Sequence, residues 1–321
     1  MQKRSGLCCR IVEQDCTKVG KLNNFLDIKD LNLNQITNIF DVSAKLKKDR
    51  KGFTNGTKDP NQFLLNRVVA LLFKKPSTRT RFSFEVGIFQ MGGKSISVSS
   101  NELQISNLET MSDTASVLTK YLDMIVLRTE NHSDLTDLIK YSDIPVINGL
   151  SDKSHPCQVL SDIFTYEEIS GPIKDKKVVW LGDSNNVCNS YIQASDKFKF
   201  ELIICGPLEF VPRDNGVQNF QYEVDPKKAL KNADLIVTDT WYSMHQTENE
   251  REIRKKKMQN YTLTEELLKI SKNESLVFHC MPIYRNNEIT SDIADKFFDI
   301  FLKQAENRLH VQKGIMYWCF S

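Results

Sequence analysis

An apolar run, Val68 to Phe73, gives way directly to Lys75-Pro76-Ser77-Thr78-Arg79-Thr80-Arg81-Phe82-Ser83-Phe84-Glu85. The run reads as a buried strand, and Phe82, Val86 and Phe89 beyond it recur at helical spacing. Strand, short basic loop and helix start together make an anion site. The first turn of a helix has unpaired N–H groups and the positive end of the dipole, so a phosphate placed there is held by backbone donors. Ser77, Thr78 and Thr80 add hydroxyls, and Arg79 and Arg81 add planar donor forks. Neither G-x-x-x-x-G-K nor G-x-G-x-x-G occurs here, which excludes a P-loop and a dinucleotide fingerprint. Taken alone, the segment reads equally as a Ser-capped surface helix with solvated arginines.

The rest of the chain repeats the strand–helix alternation. Leu33, Ile36, Ile39, Phe40, Val42 and Leu46 predict an amphipathic helix over 33–48, and the polar, Gly- and Pro-bearing stretch 48–62 is a loop. Strands are expected at 67–73, 94–100, 123–128 and 144–148, with helices at 78–91, 109–121, 133–141 and 155–169. A second series begins at Lys177, with strands near 178–181, 201–205, 234–238 and 275–279. This predicts an α/β chain of two doubly wound domains with mostly parallel sheets and a crevice between them. Ser77, Arg128, Asn186, Asp239 and Cys280 each fall at or just after the C-terminal end of a strand, the edge where open α/β sheets bind ligands.

With 321 residues, the chain is long enough for two ordinary domains, and 40% hydrophobic residues supply their cores. A net charge of +2 gives no strong attraction to nucleic acid or membranes, and no apolar run approaches the length of a span. The eight cysteines are scattered without zinc-ligand spacing, as in a reduced intracellular protein. A cytoplasmic location follows, or the mitochondrial matrix should residues 1–22 be a targeting segment rather than a plain extension.

Four segments stand in order: Ser77-Thr-Arg-Thr-Arg81, His155-Pro-Cys-Gln158, Asp239-Thr-Trp-Tyr-Ser-Met244 and His279-Cys-Met-Pro282. Their order and spacing resemble the aspartate and ornithine carbamoyltransferase family, and the last two look like its ornithine branch. The resemblance runs from about Phe25 to the C-terminus, including Glu306-Asn307-Arg308. It implies a carbamoyl-phosphate-binding domain over 23–154 and an ornithine-binding domain over 155–302, with a C-terminal helix (about 303–318, apolar on one face) packing back on the first domain.

The residues themselves leave alternatives open. Arg128 ends an apolar strand, so it is half of a structural ion pair or it meets a ligand. His155 and Gln158 share one face of a helix start, where a histidine also serves as a cap or in the core. Cys280 beside His279 suggests a thiol nucleophile, but neighbours on a strand point to opposite faces, so His279 is not expected to activate it. Asp239 is a cation partner or a helix cap, Gln104 a solvated loop residue, and Arg308 a partner for Glu306 along its helix. The resemblance implies sharper roles. Ser77, Thr78, Arg79, Thr80, Gln104, Arg128, His155, Gln158, Cys280 and Arg308 would hold carbamoyl phosphate, with Arg128, His155 and Cys280 nearest the chemistry. Asn186, Asp239, Ser243 and Met244 would hold ornithine, and Gln104 would reach a neighbouring subunit's site in a homotrimer.

Carbamoyl transfer to the ornithine side-chain amine, giving citrulline and phosphate by direct attack, is therefore expected, without metal or organic cofactor. Other acceptors (putrescine, N-acetylornithine, aspartate) and a non-catalytic carbamoyl-phosphate binder are the rival readings. The chain departs from the family pattern at His245, Ser106 and Asn286, where glycines are usual. The first bears on closure of the loop over the amino acid.

Overall fold

A computed structural model describes residues 22–99, 110–210, 220–242 and 247–321. The first half contains α1 (Leu33–Asp49), β1 (Val68–Phe73), α2 (Thr78–Gln90), β2 (Lys94–Ser99), α3 (Met111–Leu118), β3 (Met124–Arg128), α4 (His132–Lys140) and β4 (Val146–Leu150). Then follow α5 (Pro156–Ser170), β5 (Lys177–Leu181), α6 (Asn186–Phe198), β6 (Glu201–Cys205), β7 (Gln221–Glu223), α7 (Pro226–Leu230), β8 (Leu235–Thr238), α8 (Glu248–Met258), α9 (Glu265–Leu268), β9 (Leu276–His279), α10 (Ser291–Lys296) and α11 (Phe298–Cys319).

Two parallel sheets result, ordered β2-β1-β3-β4 and β7-β6-β5-β8-β9. Their central strands (Val69–Leu72, Met124–Leu127, Val178–Leu181 and Leu235–Val237) are buried on both faces, as continuous apolar runs require when helices cover both sides. The α/β, doubly wound expectation therefore holds. Among the described residues no helix is long and apolar enough to cross a membrane.

Three elements differ from expectation by two residues or more. The fourth strand begins at Val146 rather than 144, because Pro145 has no N–H to give the ladder. Helix α3 spans Met111–Leu118, shorter than 109–121, with Thr110 as its N-cap. Helix α11 begins at Phe298 and is not apolar on one face: Gln304, Asn307, Arg308, Gln312 and Lys313 are as buried as Val311, Ile315 and Met316.

That burial follows from its neighbours, since α11 packs on α1, α2, α5 and β9. Gly314 sits where α1 crosses, and a Cβ there would lie 2.6 Å from the Ile39 carbonyl oxygen and collide with Ser43 Oγ. Lys313 is buried because Nζ lies 2.5 Å from Asp59 Oδ2 and donates to Gln90 Oε1 at 3.1 Å. Asp59 also pairs with Arg50 at 2.8 Å. A charge paired this way sits inside a core without an uncompensated desolvation cost.

Candidate active site

The strand order of each sheet reverses once, between β1 and β3 and between β5 and β8. The loops leaving those strands carry the polar residues, as expected at topological switch points.

At the first switch point, Ser77 caps α2 by accepting from Thr80 N at 3.3 Å. The preceding loop is pinned by the Lys74 N–H to the Arg128 carbonyl (2.8 Å) and by Lys74 Nζ to Asp134 (2.8 Å). Thr80 is buried, and its Oγ1 accepts from Arg308 Nη2 at 2.7 Å and from Arg128 Nη1 at 3.3 Å. Arg308 Nη1 donates to Gln158 Oε1 at 3.0 Å, and its Nη2 lies 3.3 Å from His155 Nε2. Thr80, Arg128, His155, Gln158 and Arg308 thus form one cluster drawn from α2, β3, α5 and α11. Arg79, exposed, stands at its mouth beside a cleft of about 420 Å³ that Gln158, Cys280 and Arg308 also line. Thr78 is exposed on the first turn of α2.

The electrostatics of the cluster favour an anion. Burial, then repulsion from Arg308 and Arg79, lowers the Arg128 pKa to about 10. Arg308 is lowered too, chiefly by burial. Among the described residues no carboxylate forms an ion pair with Arg79, Arg128 or Arg308, and Nε of both Arg128 and Arg308 is buried without a partner. Burial and the charges of Arg308, Arg128 and Arg79 push the His155 imidazole well below its usual range, so the ring is neutral. A guanidinium can only donate, which makes Nε2 the acceptor in this arrangement and leaves the proton on Nδ1.

At the second switch point Asp239 follows β8 and Cys280 follows β9. Cys280 Sγ donates to Asp239 Oδ1 at 3.2 Å, and Asn185 Nδ2 donates to Oδ2 at 2.7 Å. Among the described residues Asp239 caps no helix. Gly182, with φ of +125°, lets the loop after β5 pass Trp241, and a Cβ there would lie 3.1 Å from the indole nitrogen. Asn186 opens α6 and donates to the Ser151 carbonyl at 2.6 Å. His279 turns away from Cys280: Nδ1 accepts from the Met281 N–H at 2.9 Å and Nε2 faces Glu288 at 3.1 Å. Burial, followed by the charges of Asp239 and Asp162, raises the Cys280 thiol well above its usual pKa. Gln104, Ser106, Ser243, Met244 and His245 lie outside the described residues.

Two family profiles cover nearly the whole chain. Residues 23–168 match the aspartate/ornithine carbamoyltransferase carbamoyl-phosphate-binding domain, and residues 174–319 match the Asp/Orn-binding domain. The chain belongs to the aspartate/ornithine carbamoyltransferase family. It is 46% identical over 308 residues to the ornithine carbamoyltransferase of Roseobacter denitrificans, covering 94% of this chain and 100% of that protein. The ornithine carbamoyltransferase structure from Pyrococcus furiosus superposes with a TM-score of 0.86 at 39% identity, covering 92% of this chain and 96% of that one. The anabolic ornithine carbamoyltransferase of Campylobacter jejuni gives 0.85 at 32% identity, covering 93% and 99%.

Reading motifs alone missed four residues of this carbamoyltransferase site. Asn185 orients Asp239. Asp162 accepts from Gln158 Nε2 at 2.9 Å, Gln304 Nε2 at 2.7 Å and Tyr191 Oη at 3.0 Å. The signal for two of them was present in helical spacing: Asp162 is four residues after Gln158, and Gln304 is four before Arg308. The alternative pairing of Arg308 with Glu306 does not occur, because positions two apart on α11 face opposite sides, which turns Arg308 inward and leaves Glu306 outward near Lys303 at 3.3 Å.

Proposed function

We propose that this protein transfers the carbamoyl group of carbamoyl phosphate to the side-chain amine of L-ornithine, giving L-citrulline and phosphate. The observation that carries this reading is the set of clustered arginines around Thr80 at the start of α2, none of them in an ion pair with a carboxylate among the described residues. A phosphate there meets the N–H groups of the first turn from Ser77 to Thr80, and the forks of Arg79, Arg128 and Arg308. Family membership and the relatives' activity supply the acyl group.

The chemistry follows from the donors. Attack by the amine builds negative charge on the carbamoyl oxygen, and Thr80, Arg128 and His155 are the preorganised donors that would meet it. For His155 this requires the ring to present an N–H once Arg308 turns to the phosphate. Gln158 would accept from the carbamoyl NH2. The C–N bond forms, the amine loses a proton, and the C–O bond to phosphate breaks, with the departing charge held by the arginines. Asp239 and Asn186 would hold the α-amino end of ornithine, with the backbone of Ser243 and Met244 on its carboxylate. Cys280 lines the site without forming a covalent intermediate.

Residues 23–154 with the returning C-terminal segment 303–321 would be the carbamoyl-phosphate domain, and 155–302 the ornithine domain. A cytoplasmic homotrimer serving arginine metabolism, with Gln104 entering a neighbouring site, completes the reading.

The test is product formation by purified protein from carbamoyl phosphate with ornithine, putrescine, N-acetylornithine and aspartate as separate acceptors. Citrulline from ornithine alone is expected. Turnover of another amine overturns the specificity, and binding of carbamoyl phosphate without turnover of any overturns the enzymatic reading.

A further inference from the structure

Asp162 is 1% exposed and touches no open part of the cleft, yet its carboxylate accepts three hydrogen bonds. Oδ1 takes the NH2 groups of Gln158 (2.9 Å) and Gln304 (2.7 Å), and Oδ2 takes the Tyr191 hydroxyl (3.0 Å). An ionised carboxylate offers no proton, so both glutamine amides must turn their nitrogens toward it. Their oxygens then face the other way. Gln158 Oε1 lies 3.0 Å from Arg308 Nη1, in the cleft, and Gln304 Oε1 accepts from the His279 N–H at 3.1 Å, one residue before Cys280. Each glutamine is flanked by an acceptor-only group on one side and a donor-only group on the other. The flip of each amide is thereby decided by its neighbours.

We propose that Asp162 is a positioning residue that fixes the amide of Gln158 with its oxygen toward the substrate, and so makes the site select an acyl group bearing NH2 over one bearing CH3. This deepens the carbamoyl-transfer reading and rests on it. With the acceptor at 162 removed, only Arg308 still favours this flip, and once Arg308 turns to the bound phosphonate the amide is free to rotate by half a turn and present a donor to a donor. The cost falls on ligands that offer an N–H at that point. A ligand with a methyl there has no hydrogen bond to lose.

The test uses two stable phosphonates that differ only at that group: phosphonoacetamide, with NH2, and 2-oxopropylphosphonate, with CH3. Dissociation constants are measured by calorimetry for the wild type, Asp162→Leu, Asp162→Ala and Asp162→Asn. The wild type is expected to prefer the amide by about tenfold, the worth of one well-made hydrogen bond. Leu and Ala should bring the ratio close to one. Asn should restore it, since its oxygen accepts from both glutamines and its NH2 donates to Tyr191. In a Gln158→Ala background, Asp162→Leu should leave the ratio where Gln158→Ala alone puts it. An equal weakening of both ligands by Leu or Ala, with the preference kept, marks a merely structural role and overturns the proposal. A wild type that binds neither phosphonate overturns the carbamoyl-transfer reading itself. Should neither Leu nor Ala fold, neutron diffraction of the wild type with phosphonoacetamide decides the matter: deuterons of Gln158 on Asp162 support the assignment, and deuterons on the ligand side overturn it.

Discussion

Arg308 Nη2 donates to Thr80 Oγ1 across 2.7 Å, joining residues 228 positions apart in the chain. The same guanidinium also holds Gln158 at 3.0 Å. A C-terminal helix thereby completes a site begun at the second helix.

Replacing Arg308 by lysine keeps a charge but not the fork, and an ammonium cannot bridge Thr80 and Gln158 together. Arg308→Lys should raise the KM for carbamoyl phosphate by roughly ten- to a hundredfold, the loss of one to two charge-assisted hydrogen bonds. The far-ultraviolet circular dichroism should not change. A KM within twofold of wild type in steady-state assays would place the phosphate elsewhere.

Cys280 is a thiol rather than a thiolate at neutral pH, because it is buried and faces Asp239 and then Asp162. Serine keeps the donor to Asp239. Cys280→Ser should therefore retain turnover within about tenfold, and mass spectrometry of the wild type quenched during turnover should find no carbamoylated cysteine. Detection of that adduct would reinstate the thiol as nucleophile.

The pH profile separates protein from substrate. The folded-state pKa of His155 is well below 6.5, so the ring gains no charge between pH 7 and 9 and contributes no titration there. The acceptor amine, like a free lysine with a pKa of about 10.4, is mostly protonated in that range. With ornithine subsaturating, the rate should rise with pH, about tenfold per unit well below the amine pKa. A flat profile would show that amine deprotonation is not limiting. A rise that His155→Gln abolishes would assign it to the histidine instead.

Gly314 lets α11 and α1 cross closely, with Ile39 O only 2.6 Å from where a Cβ would be. Gly314→Ala should cost about 1–3 kcal/mol by forcing the helices apart, read as a lower melting temperature. Unchanged melting would mean that the crossing relaxes freely.

Much of this molecule was legible without coordinates. Apolar runs such as Val68–Phe73 and Met124–Leu127 identify strands because parallel strands are buried on both faces. Ser77, Arg128, Asp239 and Cys280 were placed at the C-terminal edges of the two sheets by counting from the ends of such runs. The short strand β7 and helices α7 to α10 were not anticipated, since segments of three to six residues such as β7, α7, α9 and α10 carry too few apolar positions to show a period. The polar interior of α11 was illegible for another reason. Lys313 and Arg308 read as surface residues until their partners, Asp59 and Thr80, are known.

The amino-acid order alone therefore determined the α/β class, the two series of strands and the chemical type of each site residue, because backbone periodicity and helix-start chemistry are local. Tertiary structure decided which of those residues meet. Asp162 facing Gln158 and Gln304, His279 turned to Glu288, and Arg308 laid across Thr80 depend on how α5, α6 and α11 pack. Hydrogen bonds reach about 3 Å, and no sequence spacing specifies which distant atoms will come that close.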